Sequence, residues 1–322
     1  MPLVETPGVV ANRKNCRRRQ RSTAPAAGPS SRDVIEKGIG VTMRKRTFFA
    51  LLGAVLVAML VVGATTGCGS SSKSKKITIK VFPADTNAAI ALQTGKVDAY
   101  VADATPVLYY MKKNPGKYEI AGKQLETTPE GIATRKGDPL GKSFQEAIAK
   151  LYATGEMQKI LAKWGLSEFA LSSPPSAPAS LSVPSISGDT IHFCSDTTYP
   201  PMESIENGKA VGADIDIGSA IVKLWGKKAD FATTGFDVLI PAVRAKKCDA
   251  IISALSDTPE RAKEVDFADY VSVGTLIMVK KGNAAGISDL ASLAGKTVAV
   301  QAATTQKDML DAQNAKLAKG ES

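Results

Sequence analysis

Two stretches of this chain repeat one order of residues: a basic helix end, then Asp-Ala, then an apolar strand. They are LQTGKVDAYVAD, ending at Asp103, and VRAKKCDAIISA, ending at Ala254. Repeated αβ units of this kind predict an α/β fold with mostly parallel sheets flanked by helices. In such sheets ligands sit at the carboxyl ends of the strands. The residues expected there are Asp103, Asp196, Tyr199, Ser253 and the Thr304-Thr305 turn. Each has a plainer role open to it as well, Asp103 and Asp196 as turn caps, Tyr199 and Phe236 as core.

The rest of the chain supports the alternation. Residues 77–82 alternate like a strand, Thr86 or Asn87 can cap a helix running to Gln93, and 97–102 form a second strand. Thr105-Pro106 opens another helix, closed by Asn114-Pro-Gly. The helical spacing of Phe144, Ile148 and Leu151, then Met157, Ile160, Leu161 and Trp164, predicts two helices broken at Gly155. Residues 172–190, SSPPSAPASLSVPSISGDT, have the Pro/Ser content of a linker. Beyond it come a strand at 191–194, a helix over 214–224, an extended piece at 231–233, a helix over 237–245, a strand into Ser253, and a last strand at 297–300 that turns through Thr304 into a helix. Residues 130–136 and 275–280 read as extended connectors. Thr258-Pro259 resembles an N-cap followed by proline, so a helix is expected to open there, with Arg261 in its first turn as a planar fork for a carboxylate.

Charge and cysteine usage narrow the function classes. Residues 1–67 hold 11 of the 41 Lys/Arg and 3 of the 31 Asp/Glu, which leaves 30 against 28, or +2, for the remainder. The basic balance belongs to the leader and gives no argument for nucleic acid. Met43-Arg-Lys-Arg, an apolar run over 48–62 and Ala64-Thr-Thr-Gly before Cys68 read as a signal peptide, too short for a transmembrane helix of about 20 residues. The Thr-Thr-Gly-Cys ending resembles the lipobox of bacterial lipoproteins, with Cys68 the lipidated residue and Thr65 where leucine is usual. Residues 1–42 look like an extension ahead of a start at Met43. Cys194 and Cys248 are left for the folded part, either as a disulfide, which an exported chain permits, or as two buried thiols. The single His192 excludes a histidine triad or a multi-histidine metal site, and no cofactor is expected.

Taken together, CSDTTYPPME, KAVGADIDIGSAIV, TTGFDVLIPAV, CDAIISALSDTPER and VAVQAATTQKDML resemble the successive motifs of the periplasmic solute-binding proteins that feed polar amino acids to ABC importers, the family 3 bacterial extracellular solute-binding proteins. VFPADTNAAIALQTGKVDAYVAD and ATGEMQKILAKWG resemble that family's later motifs, yet stand first here. The resemblance covers 77–170 and 191–322 and implies a circularly permuted, two-lobed type II periplasmic-binding-protein fold with two crossing hinge strands. It places 77–136 plus 282–322 in one lobe and 137–171 plus 191–281 in the other, after a leader at 1–67 and a tether at 68–76, with 172–190 as linker.

The resemblance also implies roles. Arg261, with the Thr258 and Thr304-Thr305 turns, would bind the ligand's α-carboxylate and Asp103 its α-ammonium. Tyr199 and Phe236 would flank the side chain, Asp196 would meet its polar or cationic end, and Ser253, Ser256 and Gln306 would line the cleft. Ala254 stands where serine or glycine is common, which leaves only its backbone amide to contribute. The implied function is a lipid-anchored, extracytoplasmic binding protein delivering a polar or basic L-amino acid to an ABC permease by cleft closure, and not an enzyme. A dehydratase on the same fold and a ligand-sensing lipoprotein remain as alternatives.

Overall fold

The computed structural model describes residues 76–321. The leader, the start at Met43, Cys68 and nearly all of the tether lie outside them. None of the described helices is long and apolar enough to cross a membrane.

From the N-terminal side the described chain alternates as its sequence pattern predicts: β1 (Thr78–Phe82), α1 (Asp85–Gln93), β2 (Ala99–Asp103) and α2 (Ala104–Lys113). A short β3 (Tyr118–Ile120) leads to β4 (Thr127–Arg135). Helices α3 (Pro139–Ala153) and α4 (Glu156–Trp164) part at Gly155, whose φ of 73° suits glycine. Asp138 opens α3 by accepting the Leu140 N–H, with Pro139 fixing the first turn.

After the linker come β5 (Thr190–Ser195) and a small antiparallel sheet of β6 (Thr198–Tyr199), β7 (Glu203–Glu206) and β8 (Lys209–Val211), which the sequence reading lacked. Next are α5 (Ala213–Leu224), β9 (Lys228–Thr233), α6 (Leu239–Arg244) and β10 (Ala250–Ile251). The sixteen-residue β11 (Val265–Lys280), β12 (Thr297–Gln301) and α7 (Thr305–Lys319) complete the chain.

Two expectations of local structure change. The helix foreseen after Thr258-Pro259 is a single 3-10 turn, Arg261–Lys263, because β11 starts at Val265 and leaves no room for more. At α1 neither Thr86 nor Asn87 is the cap, since the helix starts at Asp85 without a side-chain cap.

One sheet path runs β1-β12-β2-β11-β4-β10-β5-β9. Its two ends are parallel, β1 with β12 and β12 with β2 on one side, β10 with β5 and β5 with β9 on the other. Between them β11 runs antiparallel to both β2 and β4, and β4 antiparallel to β10. This is the type II arrangement of two mostly parallel halves joined by crossing strands. The first half of β11 pairs with β4 and the second with β2, so both halves are joined through the crossing strands.

The two ends of the described chain meet in one half. Thr78 to Phe82 of β1 pair in register with Thr297 to Gln301 of β12. The Asn314 side chain on α7 holds both backbone groups of Ile77, accepting its N–H at 2.7 Å and donating to its carbonyl at 3.0 Å. Ile77 and Leu317 share the small apolar core that β12 and β2 line. The other half packs Phe144 between Phe193 and Trp225, with ring centroids 5.8 and 5.2 Å away. Of the two states left open for Cys194 and Cys248, the disulfide is the one formed. Adjacent β5 and β10 bring their Cα atoms to 5.7 Å, within bridging range.

Candidate functional site

The carboxyl ends of β2, β5, β10 and β12 converge where the halves touch. Nine of the residues singled out in the sequence line one cavity there with Gln301: Asp103, Tyr199, Phe236, Ala254, Ser256, Arg261, Thr304, Thr305 and Gln306. It has room for about one water molecule. The halves are in direct contact around it.

Asp103 is the centre of those contacts. It is the last residue of β2 and 7 % exposed. The Tyr199 hydroxyl donates to one carboxylate oxygen and the Gln306 amide to the other, each at 2.6 Å. Burial raises the Asp103 carboxyl to about 6, against the pull of the Tyr199 bond, the Arg261 charge and the Gln306 bond.

Arg261 lies on the opposite wall. Its guanidinium donates to the Ser256 carbonyl and, across the contact, to the Ala303 carbonyl, both at 3.0 Å, and stacks over Phe236 at 5.5 Å. Thr258 accepts the Arg261 N–H at 3.2 Å, so the expected cap exists even though the helix does not. Burial lowers the Arg261 pKa, while Asp103, Asp308 and Glu130 hold it up. Thr304 caps α7 by accepting the Lys307 N–H, which aims the first turn of that helix at the cavity.

Two sequence-derived site residues are turned elsewhere. The Ser253 hydroxyl accepts the Asp196 N–H at 2.9 Å and donates to Glu203 at 2.6 Å. Asp196 caps its own turn through Thr198 and receives the Gln301 amide at 2.6 Å, so it ties the halves together rather than lining the cavity. Ala254 lines the cavity with φ of 43°, but its amide donates to Asp214 at 2.7 Å and is not available there. That corrects the role expected for its backbone.

Several residues the sequence reading missed surround the site. Gln301 ends β12, and its place at a strand's carboxyl end was the available signal. Behind the cavity, Glu203 and Asp214 are fully buried beside Tyr270, whose hydroxyl donates to Asp214 at 2.7 Å. Burial raises Asp214 to about 6, against the pull of its bonds with Glu203, Tyr270 and the Ala254 amide, and raises Glu203 well above the usual range, with the Asp214 charge adding to it. Asp85 takes the Tyr100 hydroxyl and is pushed by burial to about 8. Its backbone N–H reaches Thr198 of the other half at 3.3 Å.

A site with a forked cation on one wall and a buried carboxylate on the other suits a small zwitterion. Residues 191–321 match the model of the bacterial extracellular solute-binding proteins, family 3. The match covers 131 of the 322 residues.

Among curated relatives, the ABC transporter arginine-binding protein 1 of Escherichia coli (strain K12) is 34% identical over 42% of this chain and 56% of its own. The lysine/arginine/ornithine-binding periplasmic protein of the same strain is 40% identical over 37% of this chain and 46% of its own. The chain thus spans about half the length of the curated relatives it matches. A solved ancestral arginine-binding protein bound to glutamine is 35% identical over 41% of this chain and 59% of that chain, with a TM-score of 0.36.

Proposed function

We propose that this protein binds a polar or basic L-amino acid between its halves and delivers it to an ABC permease. The observation that carries the proposal is the opposition of Arg261 and Asp103 across one cavity at the carboxyl ends of the strands. The family 3 match of residues 191–321, and curated relatives named for arginine, lysine, ornithine and histidine, support the ligand class.

The mechanism follows from the contacts. Tyr199 to Asp103, Arg261 to Ala303 and Gln301 to Asp196 are bonds between the halves, and β4 and β11 are the strands that would flex. In the open form an incoming α-carboxylate takes the place of the Ala303 carbonyl on Arg261, and an α-ammonium docks on Asp103. Each charge is costly to bury alone, so closure is favourable when the ligand supplies both partners. Phe236 and Tyr199 flank the side chain, and Asp196 reads its far end once released from Gln301. The signal peptide and Cys68 would place the protein on the outer face of the membrane by a lipid anchor.

The order of motifs is read as a circular permutation within one chain. Its support is the in-register pairing of β1 with β12 and the hold of Asn314 on Ile77.

The test of function is calorimetric titration of the purified protein with each common L-amino acid. Saturable one-to-one binding of at least one polar or basic member is expected. Absence of binding across the whole panel would refute the proposal.

A further inference from the structure

Glu130 is the one cavity-side acidic group with neither carboxyl oxygen bonded among the described residues. It sits on the crossing strand β4, is 1 % exposed, and both its oxygens are buried without a hydrogen-bond partner. Its direction follows from the backbone. Glu130 and Ser256 form an antiparallel bridge, flanked by Gly131 N–H to the Leu255 carbonyl at 3.0 Å and Asp257 N–H to the Pro129 carbonyl at 2.8 Å. Residues directly opposite in such a pair project to the same face, with side chains close together. Ser256 lines the cavity, so the Glu130 carboxyl is on the cavity's side of the strand.

A ligand ammonium needs what Glu130 has to spare. It carries three N–H donors. Asp103 offers two oxygens, but each already holds a donor, from Tyr199 and Gln306. Position 254 is alanine with its amide spent on Asp214, and the Ser253 hydroxyl is spent on Glu203. Buried carboxyl oxygens are rarely left without partners, and an orphaned one next to a binding cavity points to a ligand group.

We propose that Glu130 is a second acceptor for the ligand's α-ammonium, beside Asp103, and that it gives up a proton when the ligand binds. This rests on the amino-acid-binding reading above. The groups facing Glu130 are Asp103 from β2, Asp214 from α5, Arg261 from the turn before β11, Tyr199 from β6 and Tyr270 from β11. Burial and the two aspartates hold its carboxyl well above the usual range against the Arg261 charge, which favours the protonated acid. An ammonium arriving at hydrogen-bond distance favours the ionised form. The O–H bond of Glu130 then breaks, its electron pair stays on the carboxylate, and the proton leaves to the buffer while the ammonium keeps all three of its own.

The experiment is calorimetry of the full chain at about pH 8 with L-glutamine and L-arginine, each in phosphate and in Tris. The difference in binding heat between the buffers counts the protons released. Asp103, at about 6, is already ionised there and cannot be their source. Asp85, at about 8 and tied to the other half through Thr198, is another candidate, and Asp85→Asn is the control.

The wild type should release close to one proton per ligand with both amino acids, and Asp85→Asn should do the same. Glu130→Gln, which mimics the neutral acid, should melt at the wild-type temperature, release almost none and bind about tenfold more weakly. A wild type that binds without releasing a proton would overturn the proposal, and that reading needs no variant. Release unchanged in Glu130→Gln would overturn it too, and release with arginine alone would overturn the assignment to the α-ammonium. Those outcomes leave amino-acid binding standing, whereas no heat from any amino acid would remove the function itself.

Discussion

Replacing Arg261 by alanine should cost the protein most of its ligand affinity while leaving the fold intact. The guanidinium has five N–H donors and spends one each on the Ser256 and Ala303 carbonyls. A ligand carboxylate that displaces Ala303 can be held by the fork, facing Asp103 across the cavity. Removing one partner of such a buried pair costs about 3 to 5 kcal/mol, or two to four decades in Kd. The free protein loses two hydrogen bonds and the stacking on Phe236, about 1 to 3 kcal/mol in all, and should melt only several degrees lower. Arg261→Lys keeps the charge without the fork and should lose about tenfold. Calorimetric titration reads the affinities and a thermal melt checks the fold. An alanine variant that binds within threefold of wild type would show that the carboxylate is held elsewhere.

Three further outcomes are expected. The folded-state carboxyls of Asp85, Asp103 and Asp214 stand at about 8, 6 and 6, above the unfolded value of 3.8, so the native state holds extra protons through that window and stability should fall as pH rises from about 4 to 8. Asp85→Asn should flatten the upper part of that fall, and a melting temperature that climbs from pH 5 to 8 would contradict it. Reduction of the Cys194–Cys248 disulfide, which spans 54 residues, should cost about 4 kcal/mol and lower the melt by roughly 10 °C; no shift under a strong reductant would count against the bond. Light scattering should show a monomer that melts in one transition, because both ends of the described chain are built into one half; an obligate dimer would mean that two chains pair instead.

The alternation of strands and helices was legible because it is written in local pattern. Asp-Ala ahead of β2, Gly155 between α3 and α4, and Pro/Ser over 172–190 are signals a few residues long. Most of the cavity was legible too, since Asp103, Arg261 and the Thr304-Thr305 turn stand where strands end. What failed depended on distant partners. The length of β11 comes from pairing with both β4 and β2, and it is what cut the helix at Arg261 to one turn. The amide of Ala254 and the hydroxyl of Ser253 were assigned to a ligand because nothing near them in sequence shows Asp214 and Glu203 waiting behind. Glu130 lies in TPEG, an unmarked connector, and only its bridge to Ser256 reveals which face it takes.

Whether the cavity reads both ends of an amino acid can be measured with three ligands. Take the amino acid that binds most tightly, its decarboxylated amine and its N-acetyl derivative, and titrate each into the wild-type protein by calorimetry. Arg261 opposite Asp103 predicts that only the intact zwitterion binds well, each derivative being weaker by a hundredfold or more. An amine or an N-acetyl derivative that binds as tightly as its parent would contradict the opposed-charge site.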